Sequence, residues 1–267
     1  LLIEDPFNYA TGNLNGLGSW TSSGSQPDIV VASGNLSVSG LAASTGNKIN
    51  WSGAGRNSYK PFTGPASGTI YFSFIFRPNA TPTAATLIAS LNSASTTKRL
   101  CIHLGTDNRL GLSHNAGTVT YGGSALVNGT DYLVVGSLEI VTGSANDIYR
   151  LWVAPASSTF GGTEPAVSAQ TTSTSDTTFT SGRFYFQRDA NTPSADADEL
   201  RVGVSWAEVT PVGVPLTGVK LGFTTQPSNT SLGTTMSPVV VQVQAADSSA
   251  VASNNVPVTL TLTSGTG

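Results

Sequence analysis

Three carboxylates stand together in "ADADEL", at Asp196, Asp198 and Glu199. Paired carboxylates are the chemistry of glycoside hydrolysis, in which one protonates the leaving oxygen while the other attacks the sugar or activates water. Alternate residues of a strand share a face, so acids at i and i+4 can flank one bond. Asp196 and Asp198 keep that alternation, but Glu199 faces the other way and position 200 is Leu. The spacing argues against a glycosidase. Hard cations also favour clustered carboxylates with loop carbonyls, so Asp196 and Asp198 are candidate ligands for Ca2+. The alternative is a solvated loop in which both cap turn amides. "GTDNRLG" (105–111) and "SANDIYR" (144–150) are Asp/Asn turns open to the same two readings.

Sugar binding calls for aromatic platforms beside hydrogen-bonding side chains on an open face. Taken literally, strand alternation puts Glu139, Arg150, Trp152, Tyr185, Gln187 and Arg201 opposite the apolar core, with Cys101, His103, Arg183 and Glu199 among them. Such residues on neighbouring strands would grip a sugar; equally, they would form a polar outer face with cross-strand ion pairs, such as Glu139 with an Arg. Trp20, Trp51 and Tyr59 lie in Gly/Ser-rich surroundings that suit exposure, although Trp in a sandwich is ordinarily core. His103 and His114 accompany no G-x-S-x-G nucleophile motif. His103 reads as a strand residue satisfied by a neighbour, and Cys101 as a small buried hydrophobe.

The elements that must position these residues are strands. "TIYFSFIFR" (69–77), "RLCIHLG" (99–105), "DYLVVGSLEIV" (131–141), "DIYRLWVA" (147–154) and "GRFYFQR" (182–188) recur between Gly, Asn, Ser and Pro clusters, and helical periodicity is nowhere sustained. In 69–77, Ile70, Phe72, Phe74 and Phe76 share one face and Tyr71, Ser73 and Ile75 the other, as in a half-buried antiparallel strand. The pattern predicts an all-β chain with two sheets packed as a jelly-roll sandwich. Asp196 and Asp198 fall in the loop before a last strand that runs towards Pro211.

Composition narrows the function classes. The 267 residues include 12 Lys and Arg against 15 Asp and Glu, with no basic block, which argues against nucleic acid. Ser and Thr number 69, so hydroxyls rather than ions cover the surface. The lone Cys101 allows no intrachain disulfide and no zinc site. This texture suggests an exported bacterial protein. No apolar run is long enough to span a membrane, and "LLIEDPFNYA" lacks a signal peptide's basic start, so a mature form is expected. Beyond a linker at 212–217 the texture shifts to short Val/Thr strands at 219–227, 238–247 and 256–265. Three strands are fewer than the roughly seven of an immunoglobulin-like sandwich. Either the natural chain continues, or another copy supplies strands.

In order, "EDPFNYATGNLNG", "TDYLVVGSLEI" with "DIYRLWVAPA", and "DELRVGVSWAEVTP" resemble the concanavalin A-like (laminin-G-like) jelly-roll domains of bacterial secreted proteins, over 1–211. "LGFTTQPSNTSLGTTMSPVVVQVQAADSSAVASNNVPVTLTL" resembles the first half of a bacterial immunoglobulin-like repeat, within 218–267. The resemblances imply a concanavalin A-like jelly roll plus a partial immunoglobulin-like module. They imply a non-enzymatic surface protein, structural or adhesive, with an Ig-like stalk and possible assembly of subunits into an appendage. Its partners are then copies of itself or further Ig-like modules, and possibly glycans. The alternative is a carbohydrate-binding module of a larger secreted polysaccharide-active protein. Calcium at the rim is a general expectation of such domains.

Overall fold

The computed structural model describes residues 1–93, 97–173, 181–213, 220–226, 229, 231, 233–235, 237–244 and 250. The chain divides into two compact units, Leu1–Gly213 and Val214–Gly267. The strands of the first unit begin with β1 (Ile3–Asp5), β2 (Gly12–Asn13), β3 (Thr21–Ser23), β4 (Val30–Ala32), β5 (Lys48–Trp51) and β6 (Asn57–Phe62). Then come β7 (Gly68–Pro78), β8 (Thr86–Ser93), β9 (Thr97–Leu104), β10 (Leu110–His114) and β11 (Thr120–Gly122). The last are β12 (Tyr132–Ile140), β13 (Ile148–Val153), β14 (Ala169–Thr172), β15 (Gly182–Phe186) and β16 (Ala195–Gly203).

They form two antiparallel sheets. One has nine strands in the order β14-β13-β12-β7-β16-β5-β4-β2, with β1 also paired to β16; the other has seven, in the order β11-β10-β9-β8-β15-β6-β3. Strands distant in sequence lie side by side, as β7 does between β12 and β16, which gives the jelly roll its long connections. The expected all-β sandwich is thus the observed fold. Its core is the facing aromatic rows: Phe72 packs edge-on to Phe184 at 5.2 Å, and Phe74 edge-on to Phe186 at 5.4 Å. Such contacts add about 0.5–1.5 kcal/mol each beyond burial. Gly136 of β12 leaves room for the Phe72 ring, which a Cβ there would strike.

Strand β7 is not half-buried as its alternation predicts. Its second face, with Ile75, lies under a second cluster of Leu36, Leu41, Leu133, Val135, Trp152, Phe160, Trp206 and Val209. Loops and a short helix cover this face of the nine-stranded sheet. Two local expectations are corrected with it. Asp196 and Asp198 lie on β16 itself, not in a loop before it. The strand also stops at Gly203, because Ser205 caps a single helical turn, α1 (Trp206–Val209), by accepting from the Glu208 amide. Val212 bridges Leu41, and the Gly213 amide donates to the Gly40 carbonyl at 2.9 Å, so the start of the expected linker is tied to the first unit.

The second unit contains β17 (Lys220–Thr225) and β18 (Val240–Gln244), paired antiparallel. The strand expected at 256–265 and the rest of the linker lie outside the described residues.

Candidate functional site

The outer face of the seven-stranded sheet carries the candidate site, and most of its side chains are buried: Ser90 and Ser113 are 0% exposed, Asn92 3%, Tyr185 and Gln187 7%, while Tyr59 and Lys98 are half-buried. Register brings one row of side chains across it: Ser113 of β10 is opposite Cys101 of β9, Cys101 opposite Ser90 of β8, Ser90 opposite Tyr185 of β15, Tyr185 opposite Tyr59 of β6, and Tyr59 opposite Thr21 of β3. A second row sets Lys98, Asn92 and Arg183 side by side, and a third sets His103 against Leu87 and Gly111. The inward neighbours on β8, β9 and β15 are aliphatic or Phe, and their burial in the core sets the alternate residues outward; on β6, Tyr59 lies between Ser58 and Lys60, which bond Ser22 and Asp5.

These outward groups are organised rather than dispersed. The rings of Tyr59 and Tyr185 lie 4.9 Å apart, and the Arg183 guanidinium sits 4.5 Å over Tyr59. Gln187 Nε2 donates to Ser90 Oγ, which donates to Asn92 Oδ1 at 2.8 Å. His103 Nε2 meets Ser113 Oγ at 2.9 Å. Burial, reinforced by the charge of Lys98, lowers the His103 imidazole to about 4, against an opposing pull from Asp189. At neutral pH it is uncharged, and the same lowering makes it a weak base. Burial pushes the Cys101 thiol upward, as suits its buried place within the row. Beside these residues lies a hollow of about 260 Å³, lined by Asn57, Leu87, Lys98, Gln187, Arg188 and Asp189.

Of the six residues expected to bind ligand, Tyr185 and Gln187 lie here. The other four belong to the nine-stranded sheet. Trp152 is 1% exposed, and its Nε1 donates to the Pro165 carbonyl. Glu139 and Arg150 form an ion pair at 2.7 Å, and Arg201 pairs with Glu199 at 3.0 Å. Strand alternation separates inward from outward but does not say which sheet a strand joins. Sequence reasoning raised Tyr59 as a residue suited to exposure but missed Ser90, Asn92, Lys98 and Ser113 as members of the face; for Ser90 and Asn92 the alternation of "LIASLNS" was the signal.

Asp196 and Asp198 do not fit Ca2+. The Lys48 ammonium lies 2.9 Å from Asp196, whose other oxygen accepts from Asn50. The two Asp198 oxygens accept from the Leu36 and Glu199 amides, and burial pushes its carboxyl up to about 7. A cation needs ligands that are charged and free. Among the described residues, no three His, Cys, Asp or Glu side chains assemble as a metal ligand set. The Asp turns are likewise engaged, Asp107 accepting from the Arg109 amide and Asp147 from the Val141 amide.

No family model matches the sequence, and no curated protein matches it. Among solved structures, the chain is similar to an alginate lyase in complex with an alginate tetrasaccharide, at 13% identity and a TM-score of 0.47, over 77% of this chain and 98% of that one. It is similar to domain 4 of an extracellular arabinanase from Geobacillus stearothermophilus in complex with arabinotriose, at 15% and 0.44, over 72% and 86%. The sialidase of Trypanosoma rangeli is similar at 13% and 0.42, over 68% of this chain and only 28% of its own length. At these identities the likeness is one of fold. These proteins are named for glycans, and none of the three is a surface adhesin or filament subunit. The expectation of a non-enzymatic structural or adhesive protein, and of a chain without enzymatic activity, is corrected accordingly; the carbohydrate-directed alternative is the one carried forward.

Proposed function

We propose that Leu1–Gly213 is a glycan-binding jelly roll of an exported, polysaccharide-directed protein, with the sugar lying across the outward face of the seven-stranded sheet. The observation that carries this reading is the Tyr59–Tyr185 pair, set in a transverse row with Ser90 and flanked by Gln187 and Asn92. Sugar rings offer C–H faces that stack on aromatic rings and hydroxyls that both donate and accept; Tyr59 is the half-buried ring of the pair, Tyr185 is 7% exposed, and a sugar stacked there takes the place of the Arg183 guanidinium over Tyr59. Export is supported by the Ser/Thr-rich composition; no helix among the described residues is long and apolar enough to cross a membrane. The second unit reads as a partial immunoglobulin-like module that links the jelly roll to further modules of the same protein. The β17–β18 pair and the Val/Thr texture support that reading.

The test is gel retardation of the whole chain by a panel of soluble polysaccharides, repeated with Tyr59→Ala and Tyr185→Ala. At least one polymer should retard the protein, and each substitution should weaken that binding about tenfold, the scale of one lost stacking contact. Retardation that neither substitution alters would remove the face from consideration.

A second reading rests on the neutral His103. The carboxylate cluster of β16 lies on the other sheet, so two-carboxylate hydrolysis has no support on this face. The unprotonated imidazole, held by Ser113, offers the acceptor that elimination requires, although lowered to about 4 it is a weak base near pH 7. That reading predicts turnover that His103→Asn abolishes while binding persists.

A further inference from the structure

The hollow beside the tyrosine row holds a charge that no described residue pairs with. Lys98 is half-buried, and among the described residues it has no ion pair and no hydrogen bond, unlike Lys48 and Lys60, which sit on Asp196 and Asp5. Its ammonium reaches far enough over the face to act on both Cys101 and His103. A half-buried cation without a counterion is unfavourable, and it is relieved by an anion.

The other lining groups set the sign of the hollow. The Arg188 guanidinium is spent on backbone carbonyls, donating to Gly53 at 2.9 Å, Ala54 at 3.0 Å and Asp28 at 3.1 Å, yet its charge remains. Asp189 is the one carboxylate of the lining; its Oδ1 accepts from Thr86 Oγ1 at 2.9 Å and from the Asn191 amide at 2.7 Å. Lys98 is therefore the lining cation left to meet a ligand, because the Arg188 guanidinium is committed to those carbonyls beside Asp28, and the Asp189 carboxylate is already shared. Asn57 accepts from the Arg188 amide and keeps its own amide nitrogen to donate. At roughly 30 Å³ per water, about 260 Å³ holds eight or so waters, the scale of a single sugar unit rather than a chain.

We infer that this hollow is a subsite for one anionic sugar unit, a uronic acid, whose carboxylate is held by Lys98 while Asn57, Gln187 and Asp189 meet its hydroxyls. The inference rests on the glycan-binding reading and deepens it, placing a charged unit at one end of a chain that crosses the tyrosine row. A sulfate on a sugar presents the same charge, and the test separates the two.

The whole chain is run in gels containing a soluble polyuronate, a sulfated galactan or a neutral arabinan, alongside Lys98→Gln, Lys98→Arg and Tyr185→Ala, each checked for folding by near-ultraviolet circular dichroism. The polyuronate should retard the wild-type chain most. Lys98→Gln should raise its Kd about tenfold or more, as for loss of a charge-assisted hydrogen bond, and Lys98→Arg should retain binding. High salt should weaken the wild-type interaction more than that of Lys98→Gln. Equal polyuronate binding by wild type and Lys98→Gln overturns the subsite but leaves the sheet reading intact if Tyr185→Ala still weakens binding about tenfold. Retardation by the sulfated galactan alone overturns the carboxylate assignment. Retardation by none of the three overturns both readings.

Discussion

The indole of Trp152 packs edge-on against Trp206, with ring centroids 5.1 Å apart, beneath the loops that cover the nine-stranded sheet. Alternation places it opposite the core, and so it is, but the opposite side is a second core. Trp152→Ala should cost about 3–5 kcal/mol of stability by opening a cavity there. Urea denaturation reads that loss directly, and the folded fraction should bind glycan as the wild type does. Tyr185 and Gln187 were legible as outward-facing for the same reason that misled at Trp152: period two fixes the side, not what lies over it. Lys98 was illegible because its significance is that no described residue pairs with it, which only the folded neighbourhood displays.

At the scale of elements, β16 shows how one residue changes the reading of a strand. Ala195 and Ala197 face the main core, and so do Leu200 and Val202, a change of parity within one strand. The pairing with β7 shifts between Asp198 and Arg201, and Glu199 takes a φ of 51° at that bulge. In the sequence, broken parity looks like a loop meeting a strand; in the fold, the bulge turns Asp198 and Glu199 to tie down the segment that crosses the sheet, together with Asp131 from just before β12. Asp198 accepts from the Leu36 amide, Asp131 from the Ser37 amide at 2.8 Å, and Glu199 from the Thr45 amide at 2.8 Å. The Asp198 carboxyl, raised by burial from 3.8 to about 7, binds a proton in the fold that the unfolded chain has released, so its contribution to stability is lost as pH rises through that window. His103 acts in the opposite sense. Lowered from 6.5 to about 4, it is neutral in the fold where the unfolded chain is protonated, so stability falls as pH drops from 6.5 towards 4. The two slopes oppose each other, and the wild-type stability should vary little between pH 4.5 and 6.5 on their account. His103→Gln removes one of them, and its denaturation midpoint should decline steadily as pH rises from about 4 to 7. A flat profile in that variant would show that Asp198 titrates as an ordinary carboxyl.

At the scale of the whole molecule, every residue of both hydrophobic clusters lies before Gly213, and the nine- and seven-stranded sheets close their pairings within the same span. The boundary expected at 211 falls two residues short of the unit's end at Gly213, because Val212 pairs with Leu41, a contact between distant residues that no local composition announces. A span of this size buries roughly 70% of the surface its unfolded chain exposes, enough to support an autonomous core. Leu1–Gly213 produced alone should therefore unfold in one cooperative transition, with a midpoint in urea close to that of the first unit within the full chain. It should also keep the same polysaccharide retardation, since Tyr59, Lys98, Tyr185 and the hollow all belong to it. Ending the chain at Ser205 should separate the two cores: the seven-stranded face and main cluster remain, but Trp206 and Val209 are removed from the cover over Trp152. That shorter piece should unfold at clearly lower urea than Leu1–Gly213, and a glycan affinity unchanged between the two would place binding on the seven-stranded sheet independently of any single substitution.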